Sequence, residues 1–148
     1  MKKLLLLIAV MTAVTTSYAQ KMLVLYYSET GTTKTVAEEL QKQLNADIES
    51  IEAVEPYSGN FQETIQRGQR EMQSGEWPAI KPIQKKIADY DIIFLGYPIW
   101  FGTYANPIVT LIKENDFAGK TIVPFCSFGS GGLNTSTDAL KKALPKAT

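Results

Sequence analysis

Three short polar segments carry the residues whose types and spacing could do chemistry. The first is Ser28-Glu29-Thr30-Gly31-Thr32-Thr33, with four hydroxyls in six positions, placed between an apolar run and a helical pattern. Hydroxyls and backbone N–H groups at a helix N-terminus face the positive end of the helix dipole, which suits a phosphate. Gly31 allows the backbone to bend close to a ligand. The segment lacks both the Gly-x4-Gly-Lys-Ser/Thr and the Gly-x-Gly-x-x-Gly spacings. It reads either as a phosphate cradle of neutral donors or as a helix cap with surplus hydroxyls. Glu29 sits awkwardly with a phosphate and is expected to point into solvent, with Lys34 available to offset it.

The second segment, Tyr97-Pro98-Ile99-Trp100-Phe101-Gly102-Thr103-Tyr104, carries four aromatics where a polar loop is usual. They suit stacking on a flat ligand, or else cap the core. The third, Ser127-Phe128-Gly129-Ser130-Gly131-Gly132, offers backbone donors and room for close approach, or is a plain linker.

What is missing narrows the chemistry. The 148 residues contain no histidine and one cysteine, Cys126. Imidazole general bases, Ser/His/Asp and Cys/His centres, internal disulfides and multi-cysteine metal sites are therefore excluded. No catalytic side chain and no metal ligand set is assigned. Cys126 ends an apolar run and reads as a small buried hydrophobe. A formal net charge of zero points to neither nucleic acid nor an anionic membrane as partner.

The elements that must position these segments alternate. Met22–Tyr27 is a compact apolar run, as in a strand buried on both faces. Val36, Ala37, Leu40 and Leu44 recur at helical spacing. Ile48, Ile51 and Val54 suggest a second strand closed by Pro56; Asn60–Gln73 reads as a helix with Phe61, Ile65 and Met72 on one side and Gly68 interrupting. A loop over 75–82 precedes a short helix over Ile83–Tyr90. Asp91–Gly96 is the clearest buried strand, and Asn106-Pro107 opens a helix. Thr121–Cys126 is a fourth strand and Thr135–Leu144 a last helix. This rhythm predicts βαβ units, a parallel sheet and helices on both faces. In such sheets ligands bind beyond the carboxyl ends of the strands, where the three polar segments lie.

Residues 1–19 read as a signal peptide: Lys2 and Lys3, an apolar stretch from Leu4 to Val14, then Ser17-Tyr18-Ala19 before a mature start at Gln20. The stretch is short of the roughly 20 residues that span a bilayer, so no membrane anchor is expected after cleavage. The expectation is export to the bacterial periplasm of one domain, residues 20–148, with thirteen basic and fifteen acidic side chains.

Taken together, a phosphate cradle, an aromatic clamp and a Gly-rich flap resemble the flavodoxin-like family, specifically its exported or short-chain bacterial members. The matching stretches are Leu23–Thr33, Asp91–Thr103 and Lys120–Gly132. The family's Thr/Ser-x-Thr-x-x-Thr motif falls on Ser28, Thr30 and Thr33. The resemblance implies a three-layer α/β/α sandwich with strand order 2-1-3-4, the family's fifth strand and closing helix being absent. An open strand edge and exposed apolar surface beside the first helix would follow, with a homodimer as one way to cover them. It implies flavin mononucleotide (FMN) as cofactor. Its phosphate would lie at Ser28, Thr30, Gly31, Thr32 and Thr33. Its ring would lie against Pro98, Ile99, Trp100, Phe101, Gly102 and Thr103, with Trp100 or Phe101 on a face. Ser127, Phe128, Gly129 and Gly132 would reach the ring edges. The implied role is electron transfer between protein partners; the alternatives are an NAD(P)H-dependent reductase of a quinone-like acceptor and a flavin-binding module without turnover.

Overall fold

The computed structural model describes residues 18–148; most of the signal-peptide assignment lies outside the described residues. Five strands form the sheet: β1 (Met22–Tyr26), β2 (Asp47–Ser50), β3 (Ile92–Trp100), β4 (Thr103–Tyr104) and β5 (Thr121–Ser127). Four helices accompany them: α1 (Thr32–Leu44), α2 (Phe61–Ser74), α3 (Asn106–Glu114) and α4 (Leu133–Ala143).

The pleat sorts the core into two layers. Leu23, Leu25, Ile93, Leu95 and Tyr97 point to one face, where they meet Ile108 and Leu111 of α3 and Leu140 of α4. Val24 and Tyr26 point to the other, against Ala37 of α1 and the half-buried Phe94 and Phe125. A chain buried on both sides needs the continuous apolar run that β1 has. On the α1 side, Phe125 folds its ring over Gly96 and leaves no room there for a Cβ.

The four-strand expectation, in order 2-1-3-4, is corrected. The sheet has five strands, in order β2-β1-β3-β4, with β5 also paired to β3. β1 pairs in parallel with β2 and β3, and β5 in parallel with β3. The added strand arises because β3 runs on through Pro98 to Trp100 and then reverses. Phe101 (φ 52°) and Gly102 (φ 78°) form a two-residue turn, so that Trp100 pairs with Thr103 and Ile99 with Tyr104 in antiparallel sense. Positive φ at both central positions is the mark of the hairpin turn whose twist matches the strands.

Other expectations shift locally. Ile51 and Val54 lie beyond β2, and Ile83–Tyr90 contributes only a short 3-10 turn, Ile87–Asp89. At the outer edge of β5, the Ile122 N–H donates to Thr148 O at 2.8 Å and the Thr148 N–H to Lys120 O at 3.0 Å. Pro124, in step with Ile122 and Lys120, presents no N–H to that edge, which blunts it against further pairing. Cys126 is half-buried, and burial pushes its thiol pKa up, so it packs as an un-ionised side chain.

Candidate functional site

The site lies at the carboxyl ends of β1, β3 and β5. In the first loop, the Ser28 hydroxyl accepts from the N–H groups of Gly31 (3.2 Å) and Lys34 (3.1 Å), which curls the loop over the start of α1. Gly31 is the N-cap residue, in the left-handed region at φ 95°, and lends no side chain to the helix end. Its carbonyl accepts both the N–H and the hydroxyl of Thr35. Among the described residues the N–H groups of Thr32 and Thr33 take no partner, leaving them to an anion at the dipole's positive end. The Thr30 and Thr32 hydroxyls stand 3.5 Å apart beside them. Thr33 is turned inward, its hydroxyl 2.8 Å from that of Ser127, so it ties the first loop to the third.

A cavity of about 350 Å³ opens next to this loop. One wall is Pro98, Ile99, Trp100 and Phe101; a second is Glu29 and Thr30; a third is Gly59, Phe61, Thr64 and Ile65 at the start of α2. Asn60 caps that helix by accepting from the N–H groups of Gln62 and Glu63, which fixes where Phe61 emerges. The Thr64 hydroxyl oxygen is buried without a hydrogen-bond partner. A buried orphan of this kind in a cavity wall suits a ligand with a polar edge.

Two of the second segment's four aromatics, Trp100 and Phe101, part company. Trp100 is half-buried and meets Tyr27 and Tyr57 edge-on, with ring centres 5.8 and 5.0 Å away. Phe101 is 42% exposed at the cavity lip. Its ring rests on Gly68 of α2, where a Cβ would come within 3.0 Å of Phe101 Cε2. Asn106 locks this contact by donating to Gly68 O at 3.1 Å and to Glu71 Oε2 at 2.8 Å. Glu71 also accepts from the Tyr57 hydroxyl (2.6 Å) and from Arg67 Nε (2.8 Å). Burial, and then the Glu71 carboxylate, push the Tyr57 pKa well up, so that hydroxyl remains a donor.

Glu29 does not point into solvent. It is half-buried in the cavity wall, and its Oε2 accepts from the Tyr27 hydroxyl at 2.5 Å. Lys34 pairs at 3.8 Å with Glu38 instead. Burial first, and Glu29 next, raise the Tyr27 pKa far above its ordinary value.

The structure thus brings Thr30, Pro98, Ile99, Trp100 and Phe101 to one cavity, with Ser28, Gly31, Thr32 and Thr33 building the adjoining anion cradle. Gly102 and Thr103 form the hairpin behind Phe101. The third loop does not line the cavity. Ser127 bonds Thr33, Phe128 and Gly129 are exposed, and Gly132 backs onto Ile99 and Gly102, with a Cβ there 3.0 Å from Ile99 Cγ2. Sequence reasoning missed the α2 wall. Phe61 is 73% exposed and Met72 also faces outward, and the side that Phe61 shares with Ile65 turns to the cavity. The signal was Gly68, a gap in that stripe where another group approaches closely.

Comparison with known proteins agrees with this geometry. The flavodoxin family profile matches residues 21–148. A solved structure from Bacteroides eggerthii is 35% identical, covers 87% of this chain and 84% of its own, and superposes with a TM-score of 0.79. A second, from Bacteroides uniformis, is 30% identical over 88% of this chain and 86% of its own, at 0.78. A flavoprotein from Lactobacillus acidophilus, solved in complex with FMN, shares the fold at 22% identity and 0.78, over 88% of this chain and 89% of its own. No curated protein matches the chain. From its cradle of unpaired N–H groups, its aromatic hairpin and its matched sequence, the chain belongs to the flavodoxin family.

Proposed function

We propose that this protein is an FMN-dependent electron carrier serving protein partners. The cavity carries the reading. At about 350 Å³ it lies near the lower end of small-molecule sites, in keeping with one flat ring system. Apolar side chains crowd its mouth: Phe61 and Phe101 at the lip, with Phe128 and Leu133 exposed on the same sheet edge. Exposed apolar groups gathered at one edge suit a docking protein.

The residues present fit FMN. The free N–H groups of Thr32 and Thr33, with the Thr30 and Thr32 hydroxyls, would hold its phosphate. Phe101, Ile99 and Ile65 would bound the ring, and the orphaned Thr64 hydroxyl would meet a polar edge. Bound FMN supplies the redox chemistry, so the protein need contribute only binding, orientation and electrostatics. No side chain is required as nucleophile or general base.

The test is stopped-flow mixing of FMN-loaded protein with NADPH, then with dithionite. A carrier keeps its oxidised flavin absorbance with NADPH and loses it with dithionite. Bleaching by NADPH alone, within seconds, would contradict the proposal and identify a self-sufficient reductase.

A further inference from the structure

We propose that Glu29 sets the redox potential of the flavin held in this cavity, an inference that rests on the FMN reading above. Among the described residues lining the cavity, Glu29 is the one with an ionisable side chain. Its carboxylate is fixed in place: Tyr27 donates to Oε2 at 2.5 Å, and the Tyr27 ring is itself held edge-on by Tyr57 and Trp100. Oε1 takes no protein donor among the described residues, which leaves half of the group's acceptor capacity unused on a side chain that lines the cavity.

Nor do the surrounding charges neutralise it. Behind Tyr27 stand Tyr57, Arg67 and Glu71, and Arg67 is already committed to Glu71 at 2.8 Å. On the loop's other side, Lys34 leans to Glu38. A negative charge on an apolar wall acts over a short path with little screening by water or salt. Reduction adds electron density to the ring system, so a fixed carboxylate disfavours the reduced ligand more than the oxidised one. By linkage the same carboxylate weakens binding of reduced FMN relative to oxidised FMN.

The experiment compares the FMN-loaded chain with Glu29→Gln, with Tyr27→Phe, and with Glu38→Gln. Glu38→Gln removes the same charge from an exposed position on α1. Midpoint potentials are read by dithionite titration against an indicator dye, and FMN affinity by fluorescence. Glu29→Gln is expected to favour the reduced form at least tenfold, about 30 mV upward for a two-electron couple, with oxidised FMN bound within a few-fold of the parent. Tyr27→Phe keeps the charge but releases the carboxylate from its anchor to turn toward solvent, so it moves the potential less and in the same direction. Glu38→Gln moves it less than threefold. If Glu29→Gln fails to retain FMN, the Tyr27→Phe potential decides, and no shift there overturns the proposal. Unchanged potential in Glu29→Gln, or an equal shift in Glu38→Gln, overturns it and leaves FMN binding standing. Failure of the parent chain to bind FMN overturns both.

Discussion

Trp100 and Phe101 are neighbours in sequence, of similar chemistry, at the end of the same strand, yet the fold uses them in opposite ways. Trp100 is the last residue of β3, and its side chain packs against Tyr27 and Tyr57. Phe101 is the first residue of the turn and takes a left-handed conformation, which swings its ring out to the cavity lip and onto Gly68. A non-glycine residue there costs on the order of 1–2 kcal/mol. That cost is borne at the one position where the ring overlooks the ligand site, a pattern seen where strain serves function. Trp100 therefore packs between two tyrosines as well as lining the cavity, while Phe101 stands at the cavity lip, although residue type alone offers no means of telling them apart.

The largest expected effect breaks the comparison on the stability side. Trp100→Ala empties the space between Tyr27 and Tyr57 and should destabilise the fold by about 2–4 kcal/mol, below the value for a fully buried Trp because Trp100 is half-buried. Urea unfolding checks this; a loss under about 1 kcal/mol would mean that Trp100 is not a packing residue. A smaller effect sharpens the other side. Gly68→Ala improves the helix by up to about 1 kcal/mol, while its methyl forces the Phe101 ring back by a few tenths of an ångström. Stability should change by less than about 1 kcal/mol, while FMN affinity falls several-fold. If affinity is unchanged while stability drops, the Gly68 contact serves folding and not the cavity.

Much of this was legible in the sequence, and the reasons are local. β1 could be read because a strand covered on both faces must be apolar at every position, and Met22–Tyr26 is. Ser28–Thr33 could be placed at a strand-to-helix junction because its hydroxyls and glycine fall between an apolar run and a helical pattern. The Phe101-Gly102 hairpin could not, since its turn is normally announced by Asn-Gly or Asp-Gly and a phenylalanine at φ 52° is held there by tertiary contact. With the hairpin went the fifth strand. The direction of Glu29 was equally hidden: a carboxylate beside a phosphate loop belongs in solvent unless a buried hydroxyl captures it, and Tyr27 does so. The α2 wall was not legible because helical periodicity shows that Phe61 and Ile65 share a side, not whether that side meets the core or a cavity.

The central claim is that one FMN sits between the first loop, the β3–β4 hairpin and α2, against Phe101. It is tested most directly by titrating the purified apoprotein with FMN and following flavin fluorescence, for the parent chain beside Phe101→Ala. Loss of one stacked aromatic costs about 1–3 kcal/mol, so the account predicts saturation at one FMN per chain for the parent and binding weaker by tenfold or more for Phe101→Ala. Urea stability of the variant should stay within about 1 kcal/mol of the parent. No saturable binding by the parent, or equal affinity in the two proteins, would contradict it.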